Sequence, residues 1–233
     1  MSIAATAPEV YAPRIEWSRQ ELILDPVVAD NATVHIFGQG TVGSNAAVEI
    51  ARLGVPNLHL YDFDDVEAHN IPSQRFDLSH LGENKAHAVK SQLANLTNDG
   101  GKRVKVITKK VEGVVMVGGI AILGVDTMHS RREIWEKALR PQAAVNLVLD
   151  FRMRGNLLQC YAFDPRDERY ETTLFTDEEA EPAPCGGRTV SYTGALAGCI
   201  AANYVRKHLS GGEIPFFTGM DLDAMQLMRS DSE

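Results

Sequence analysis

Thr33-Val34-His35-Ile36-Phe37-Gly38-Gln39-Gly40-Thr41-Val42-Gly43, residues 33–43, is the stretch on which the fold turns. Its first five residues form a short apolar run, rich in β-branched side chains, that breaks off at glycine. That is the pattern of a buried parallel strand. Beyond it Val42, Ala46, Ala47, Ile50 and Leu53 recur at helical spacing until Gly54, a residue suited to ending a helix. Leu58 to Tyr61 (LHLY) then reads as a second strand. Strand, helix and strand within about 30 residues make one right-handed βαβ unit.

Between strand and helix, Gly38, Gly40 and Gly43 make a G-x-G-x-x-G. The first glycine permits a tight turn, the second lets a phosphate approach the backbone, and the third allows close helix packing. The helix N-terminus adds free N–H donors and the positive end of its dipole. Asp62 follows Gly43 by 19 residues, at the end of the second strand, where a carboxylate can accept hydrogen bonds from ribose hydroxyls. The plainer alternative is a tight turn and a loop-capping acid. The hexapeptide does not separate NAD, FAD and ATP, and no G-x-x-x-x-G-K-[ST] Walker loop occurs.

The alternation continues. Lys85 to Leu96 reads as a helix stopped by Asn98-Asp99-Gly100-Gly101, Val104 to Ile107 and Ile120 to Leu123 as strands, Arg131 to Leu139 as a helix, and Ala143 to Leu149 as a buried strand. Five strands with helices between them predict an α/β protein with a Rossmann-like, doubly wound, mostly parallel sheet. Leu157 to Phe163 reads as an antiparallel extension, and Gly194 to Leu209 as a last helix packed on the sheet by its Ala/Leu/Ile face. The expected organisation is an N-terminal arm and helix over 1–30, a nucleotide-binding domain over 31–210 and a C-terminal tail over 211–233 with no clear period.

Composition narrows the function. The chain has 233 residues and a net charge of −8, with no long basic run, which disfavours nucleic acid and anionic lipid as partners. No 18-residue apolar stretch and no basic, apolar leader are present, so a cytoplasmic protein without a membrane span is expected. Cys160, Cys185 and Cys199 are widely spaced, and no CxxC pair exists. That fits a reducing compartment and offers no zinc ligand set.

The segment from Asp62 to Arg75, with Asp64, Val66, Asn70, Ile71 and Gln74 at matching positions, resembles the D-x-D-x-V-x-x-x-N-[LI]-x-R-Q stretch of the ThiF/MoeB-type, ubiquitin-activating-enzyme-like adenylyltransferases. Leu81-Gly82-Glu83-Asn84-Lys85-Ala86 resembles their (V/I)G-x-x-K-(V/A). Trp17-Ser18-Arg19-Gln20 looks like their Y-[SN]-R-Q opening, and Gly124-Val125-Asp126 with Arg131 like their [TC]-D-[NS]-x-x-x-R turn. The likeness runs from about residue 14 to about 209. It implies ATP- and Mg²⁺-dependent adenylation of a carboxylate, most simply on the C-terminus of a small ubiquitin-like or sulfur-carrier protein. A small-molecule or RNA-borne carboxylate is the second substrate class. It further implies nucleotide contacts from Gly38, Gly40, Gly43, Asp62, Asp64, Asn70, Gln74 and Lys85, Mg²⁺ on Asp126, and a homodimer in which the partner's arginine of the R-Q pair reaches into the site.

Chemistry agrees with those roles: Lys85 is a point charge suited to phosphate, and Asp126 is placed at the carboxyl edge of the sheet. Plainer readings stand beside them. Lys85 also suits a surface lysine on an amphipathic helix, Asp126 a helix N-cap, Asn70 and His69 a turn, and Arg19 an exposed arginine.

Three departures qualify the resemblance. Ser73 stands where the family has arginine; Arg75, Arg152 or Arg154 are the candidates to replace that cation. Losing one charge-assisted phosphate contact costs about 1.5–3 kcal/mol. Paired CxxC motifs are absent, so Mg²⁺ is the expected metal. The chain is compact, which favours adenylation or handover to sulfide or a small thiol over transfer to a conjugating enzyme. Cys185, between Asp177–Pro184 and Gly186-Gly187-Arg188, is either an acyl-accepting thiol or a leftover zinc-type cysteine, whereas Cys160 and Cys199 read as core packing. Two other functions remain open: a nucleotide-binding scaffold subunit that lost catalysis, motivated by Ser73, and an NAD-dependent oxidoreductase, which leaves Asn70 to Lys85 unexplained.

Overall fold

The computed structural model describes residues 14–111, 118–141, 144–176 and 190–231. The opening stretch forms β1 (Thr33–Phe37), α2 (Thr41–Arg52) and β2 (Asn57–Tyr61), preceded by a short α1 (Pro26–Asn31) that Asp25 caps. Gly54, at φ +90°, ends α2, a conformation that side-chain-bearing residues avoid. Downstream follow α3 (Lys85–Leu93), β3 (Lys105–Ile107), β4 (Gly119–Leu123), α4 (Met128–Ile134), β5 (Val145–Arg154), β6 (Leu157–Phe163), α5 (Arg169–Thr172), α6 (Ser191–Leu209), β7 (Phe217–Asp221) and β8 (Gln226–Ser230). The stretch set apart above as a tail without a period supplies the hairpin β7–β8.

All eight strands form one sheet in the order β3-β2-β1-β4-β5-β6-β7-β8. β1 to β5 pair in parallel and β6 adds on antiparallel, as expected from the sequence; β7 and β8 extend the sheet by two further antiparallel strands that were not expected. Phe37, the last residue of β1, pairs with Tyr61 on one side and Leu123 on the other. The chain therefore leaves β1 between two strands whose connections run to opposite sides, the switch point where sheets of this kind open a crevice.

Successive strand residues face opposite layers. Ile36, Leu58, Leu60, Ile122 and Leu149 pack in one core with Ala46 of α2, Val89 of α3 and Ala201 of α6. Phe37, Tyr61, Leu123 and Val148 pack in the other with Ile134, Trp135 and Tyr170. The helix expected from Arg131 starts three residues earlier, at Met128, because Thr127 caps it, and it runs on into a π-helical turn at Trp135–Leu139. No helix among the described residues is long and apolar enough to cross a membrane.

The last helix does more than cover the sheet. A Cβ on Gly194 would overlap Thr41, and one on Gly198 would lie 2.8 Å from the Asn45 carbonyl carbon. The pairs 41/194 and 45/198 run in the same direction, so α2 and α6 lie parallel in close contact. Cys199 is consequently exposed, against the expectation of core packing, because the helix turns its Gly194/Gly198 stripe inward onto α2. Gly198→Ala is expected to destabilise the fold by about 1–3 kcal/mol through overpacking, lowering the melting temperature by several degrees. Melting at the parental temperature would show that the helices have room to part.

Candidate nucleotide site

The loop after β1 is built by backbone contacts. Gly38, at φ +84°, donates its N–H to Tyr61 O at 2.8 Å, while Gly124 N–H reaches Phe37 O at 2.8 Å. A Cβ on Gly38 would stand 2.9 Å from Gly124 O, and one on Gly43 would overlap Gly38 O. The two glycines thus close the loop against the β4–α4 turn and let α2 start directly beneath it. Gly40 differs: a Cβ there would meet only Gln74 Nε2, at 3.9 Å. Gly40 is also the N-cap of α2 and offers no side-chain cap, so the positive end of a 12-residue helix opens onto that space.

Asp62, just past β2, locks onto the loop. Its Oδ2 accepts Gln39 N–H at 2.6 Å and its Oδ1 accepts Asp64 N–H at 2.8 Å. Burial pushes the carboxyl above its ordinary pKa, while those two amides and the Lys85 charge pull it back. Asn84 caps α3, accepting from the Ala86 and His87 amides, and its Nδ2 donates to Asp62 O and Asp64 O at 3.2 and 3.0 Å. This cap sets Lys85 at the first helical position, where its ammonium meets Asp64 Oδ2 at 3.0 Å.

Asn70 is buried, and its Oδ1 accepts Glu67 N–H at 2.9 Å, closing a short 3₁₀ turn. Its amide nitrogen is the group left to offer a ligand. Gln74 Oε1 is buried and has no partner. Gln74 Nε2, the atom nearest a Cβ on Gly40, is a donor suited to an anionic ligand there.

The expected cations are elsewhere. Ser73 is buried, with its hydroxyl 3.4 Å from that of Thr41 at the start of α2. Arg75 lies along the flank of α2, donating to Asn45 Oδ1 at 2.7 Å and Glu49 Oε1 at 3.1 Å. Arg131 and Arg152 are bound to Asp150, at 2.6 and 2.9 Å. Arg75 and Arg152, two candidate replacements for the missing arginine, are therefore committed within the fold.

Asp126 is exposed on the turn after β4. It does not cap α4, because Thr127 Oγ1 takes that role from Ser130 N–H at 3.1 Å. Arg19 is exposed too, but at the far end of α2: Trp17 beside it donates to Arg52 O at 3.0 Å and lies against Gly54. A 12-residue helix, about 18 Å long, separates Arg19 from the glycine loop of its own chain. Cys185, Arg188 and the acidic 177–184 stretch lie outside the described residues. Cys160 is a core residue of β6 whose thiol pKa burial drives well above its ordinary value. The reading from sequence did not find Thr41 or Asp150; the one signal for the latter was an acid within the apolar run Leu147 to Phe151.

Strand order, glycine loop and the acid that grips it define an α/β protein of the Rossmann-like class. The chain belongs to the ThiF family, whose model matches residues 28–231. The tRNA threonylcarbamoyladenosine dehydratase of Bacillus subtilis (strain 168) is 36% identical to it over 85 residues, 35% of this chain and 34% of that protein. Ubiquitin-like modifier-activating enzyme 5 of Gallus gallus is 31% identical over 99 residues, 42% of this chain and 25% of that protein. These matches span about a third or less of the curated relatives' length. Among solved structures, E. coli MccB with ATP superposes at a TM-score of 0.66 and 18% identity, covering 88% of this chain and 65% of that one. PaaA gives a TM-score of 0.66 at 16% identity, covering 96% and 86%. At those identities the structures establish the fold.

Proposed function

We propose that this protein binds ATP with Mg²⁺ at the Gly38–Gly43 loop and adenylates a carboxylate, most simply the C-terminus of a small ubiquitin-like or sulfur-carrier protein. The observation that carries the reading is the open space above Gly40, flanked by an uncapped helix end and the Gln74 amide nitrogen. Asp62 suits the ribose hydroxyls, Asn70 and Gln74 the phosphates, and Lys85 the β/γ-phosphates, exchanging Asp64 for them in part. Family membership supports the chemistry. The names of two relatives, a ubiquitin-like modifier-activating enzyme and MccB with its MccA partner, support a peptide or protein carboxylate.

In adenylation a carboxylate oxygen attacks the α-phosphorus, the bond to pyrophosphate breaks, and negative charge builds on the phosphate oxygens. Preorganised positive charge is what accelerates such a step. Lys85, paired with Asp64 at 3.0 Å, is the cation this reading assigns to the phosphates, and a transfer of this kind calls for further positive charge beside it. Mg²⁺, when bound, would neutralise the leaving phosphates. No group of three or more metal-binding side chains is present among the described residues, so Asp126 would hold the ion together with nucleotide oxygens, a common arrangement for Mg²⁺. The second source is Arg19 of another copy in a cytoplasmic homodimer. Leu22, Ile23, Val27 and Val28, which follow Arg19, are 99, 58, 67 and 39% exposed, an apolar surface that a second copy would cover.

ATP with Mg²⁺ is expected to raise the melting temperature more than NAD⁺ at equal concentration, because a bound ligand stabilises by mass action. A larger shift with NAD⁺ would overturn the reading. ATP–pyrophosphate exchange against a panel of carrier proteins then tests the chemistry. ATP binding with no exchange for any carboxylate would favour a catalytically impaired nucleotide-binding subunit, for which the Ser73–Thr41 hydroxyl pair is the motive.

A further inference from the structure

Asp150 is fully buried on β5, opposite Leu123, where β4 ends and the turn carrying Asp126 begins. Its Oδ1 accepts from Arg131 Nε at 2.6 Å; its Oδ2 accepts from Arg152 Nε at 2.9 Å and from the Tyr170 hydroxyl at 3.1 Å. Arg131 is itself 4% exposed and gives a second nitrogen to two carbonyls, Val125 O at 2.8 Å and Phe151 O at 2.9 Å. Val125 is the chain neighbour of Asp126. Arg152 gives its remaining nitrogens to Thr173 O and Oγ1, at 2.8 and 2.9 Å, and its guanidinium faces the Tyr161 ring at 4.5 Å. One carboxylate therefore joins three pieces of chain: the turn after β4, the end of β5 and the α5 segment.

Two arginines on one buried acid leave positive charge in the interior, and apolar side chains could hold the same elements together at lower cost. Burial would lower the Arg131 pKa, but the Asp150 carboxylate outweighs it and keeps the guanidinium firmly charged. We infer that Asp150 is a positioning residue for the nucleotide site: through Arg131 it fixes the Val125 carbonyl and so the place of Asp126, without touching nucleotide or metal. The inference rests on the reading of the site given above. Asp150→Asn keeps the size of the side chain and removes its charge, so Arg131 loses its anchor and the turn its position.

The test is calorimetric titration of the full chain with ATP at a series of Mg²⁺ concentrations, and with AMP, which lacks the β- and γ-phosphates. In Asp150→Asn the Mg²⁺ needed for half-maximal ATP binding is expected to rise by about 10- to 100-fold, the range seen when a group that orients a metal ligand is lost, while AMP affinity stays as in the parent. Arg131→Lys is the second variant. It keeps a cation on Asp150, and with it the fold, but a single ammonium cannot also span Val125 O and Phe151 O. It is expected to show the same split, and it decides the matter if Asp150→Asn does not fold. A folded variant with the parental Mg²⁺ requirement overturns the inference, as does equal loss of AMP and Mg²⁺–ATP, which would mark a general distortion. A parent that binds no ATP would instead overturn the reading of the site.

Discussion

Lys85→Ala is expected to reduce ATP–pyrophosphate exchange by about 10²- to 10³-fold, the effect of removing one preorganised group from developing charge. Lys85 is anchored twice. Its backbone N–H donates to Asp64 O at 2.9 Å, and its side chain, 11% exposed, meets the Asp64 carboxylate at 3.0 Å. Without the ammonium, Asp64 would face the incoming phosphates with no counter-charge, so the variant loses an attraction and gains a repulsion. Stability should barely change, because Asp64 is 53% exposed and half-solvated ion pairs contribute about 1 kcal/mol or less. Exchange assays paired with circular dichroism check both halves. A folded Lys85→Ala protein with parental exchange would leave Lys85 as a helix residue paired with Asp64 and nothing more.

What could be read in the sequence was local in the chain. The strand, glycine turn and helix of 33–54 lie within one βαβ unit, and their spacing alone sets which atoms meet. The start of α3 at Lys85 was legible for the same reason, since a helix face is a short-range feature. The hairpin β7–β8 was not. Four of the five β8 residues are exposed, so no alternation betrays the strand; pairing with β7, itself paired with β6, defines it. Thr127 rather than Asp126 caps α4, a choice between adjacent residues that spacing does not settle.

The fates of the arginines were hidden more deeply. Arg75 and Arg152 looked available for phosphate because their partners, Glu49, Asn45, Asp150 and Thr173, are far from them in the chain or face them only once the sheet has formed. The same holds for Gly194 and Gly198: as a helix they read as small and apolar, and only the contact with α2 reveals why nothing larger fits.

Arg19 poses the sharpest test, since within one chain it lies at the wrong end of α2. If a second copy completes the site, Arg19→Ala should lose most exchange, by about 10²-fold, through removal of a charge aimed at the phosphates. Asp126→Ala should lose comparable activity through the metal, while both proteins keep the parental fold because both side chains are exposed. Mixing the two inactive proteins is then informative. In a two-fold symmetric dimer, half the reassorted pairs contain one site with Asp126 from one chain and Arg19 from the other, so roughly a quarter of parental activity should return. No arrangement in which each chain supplies its own Arg19 can give that result, because every site would then carry one of the two lesions. Sedimentation of the parent as a monomer at assay concentration, or a mixture as inactive as its components after subunit exchange, would remove Arg19 from the site and leave Mg²⁺ and Lys85 as its positive charges.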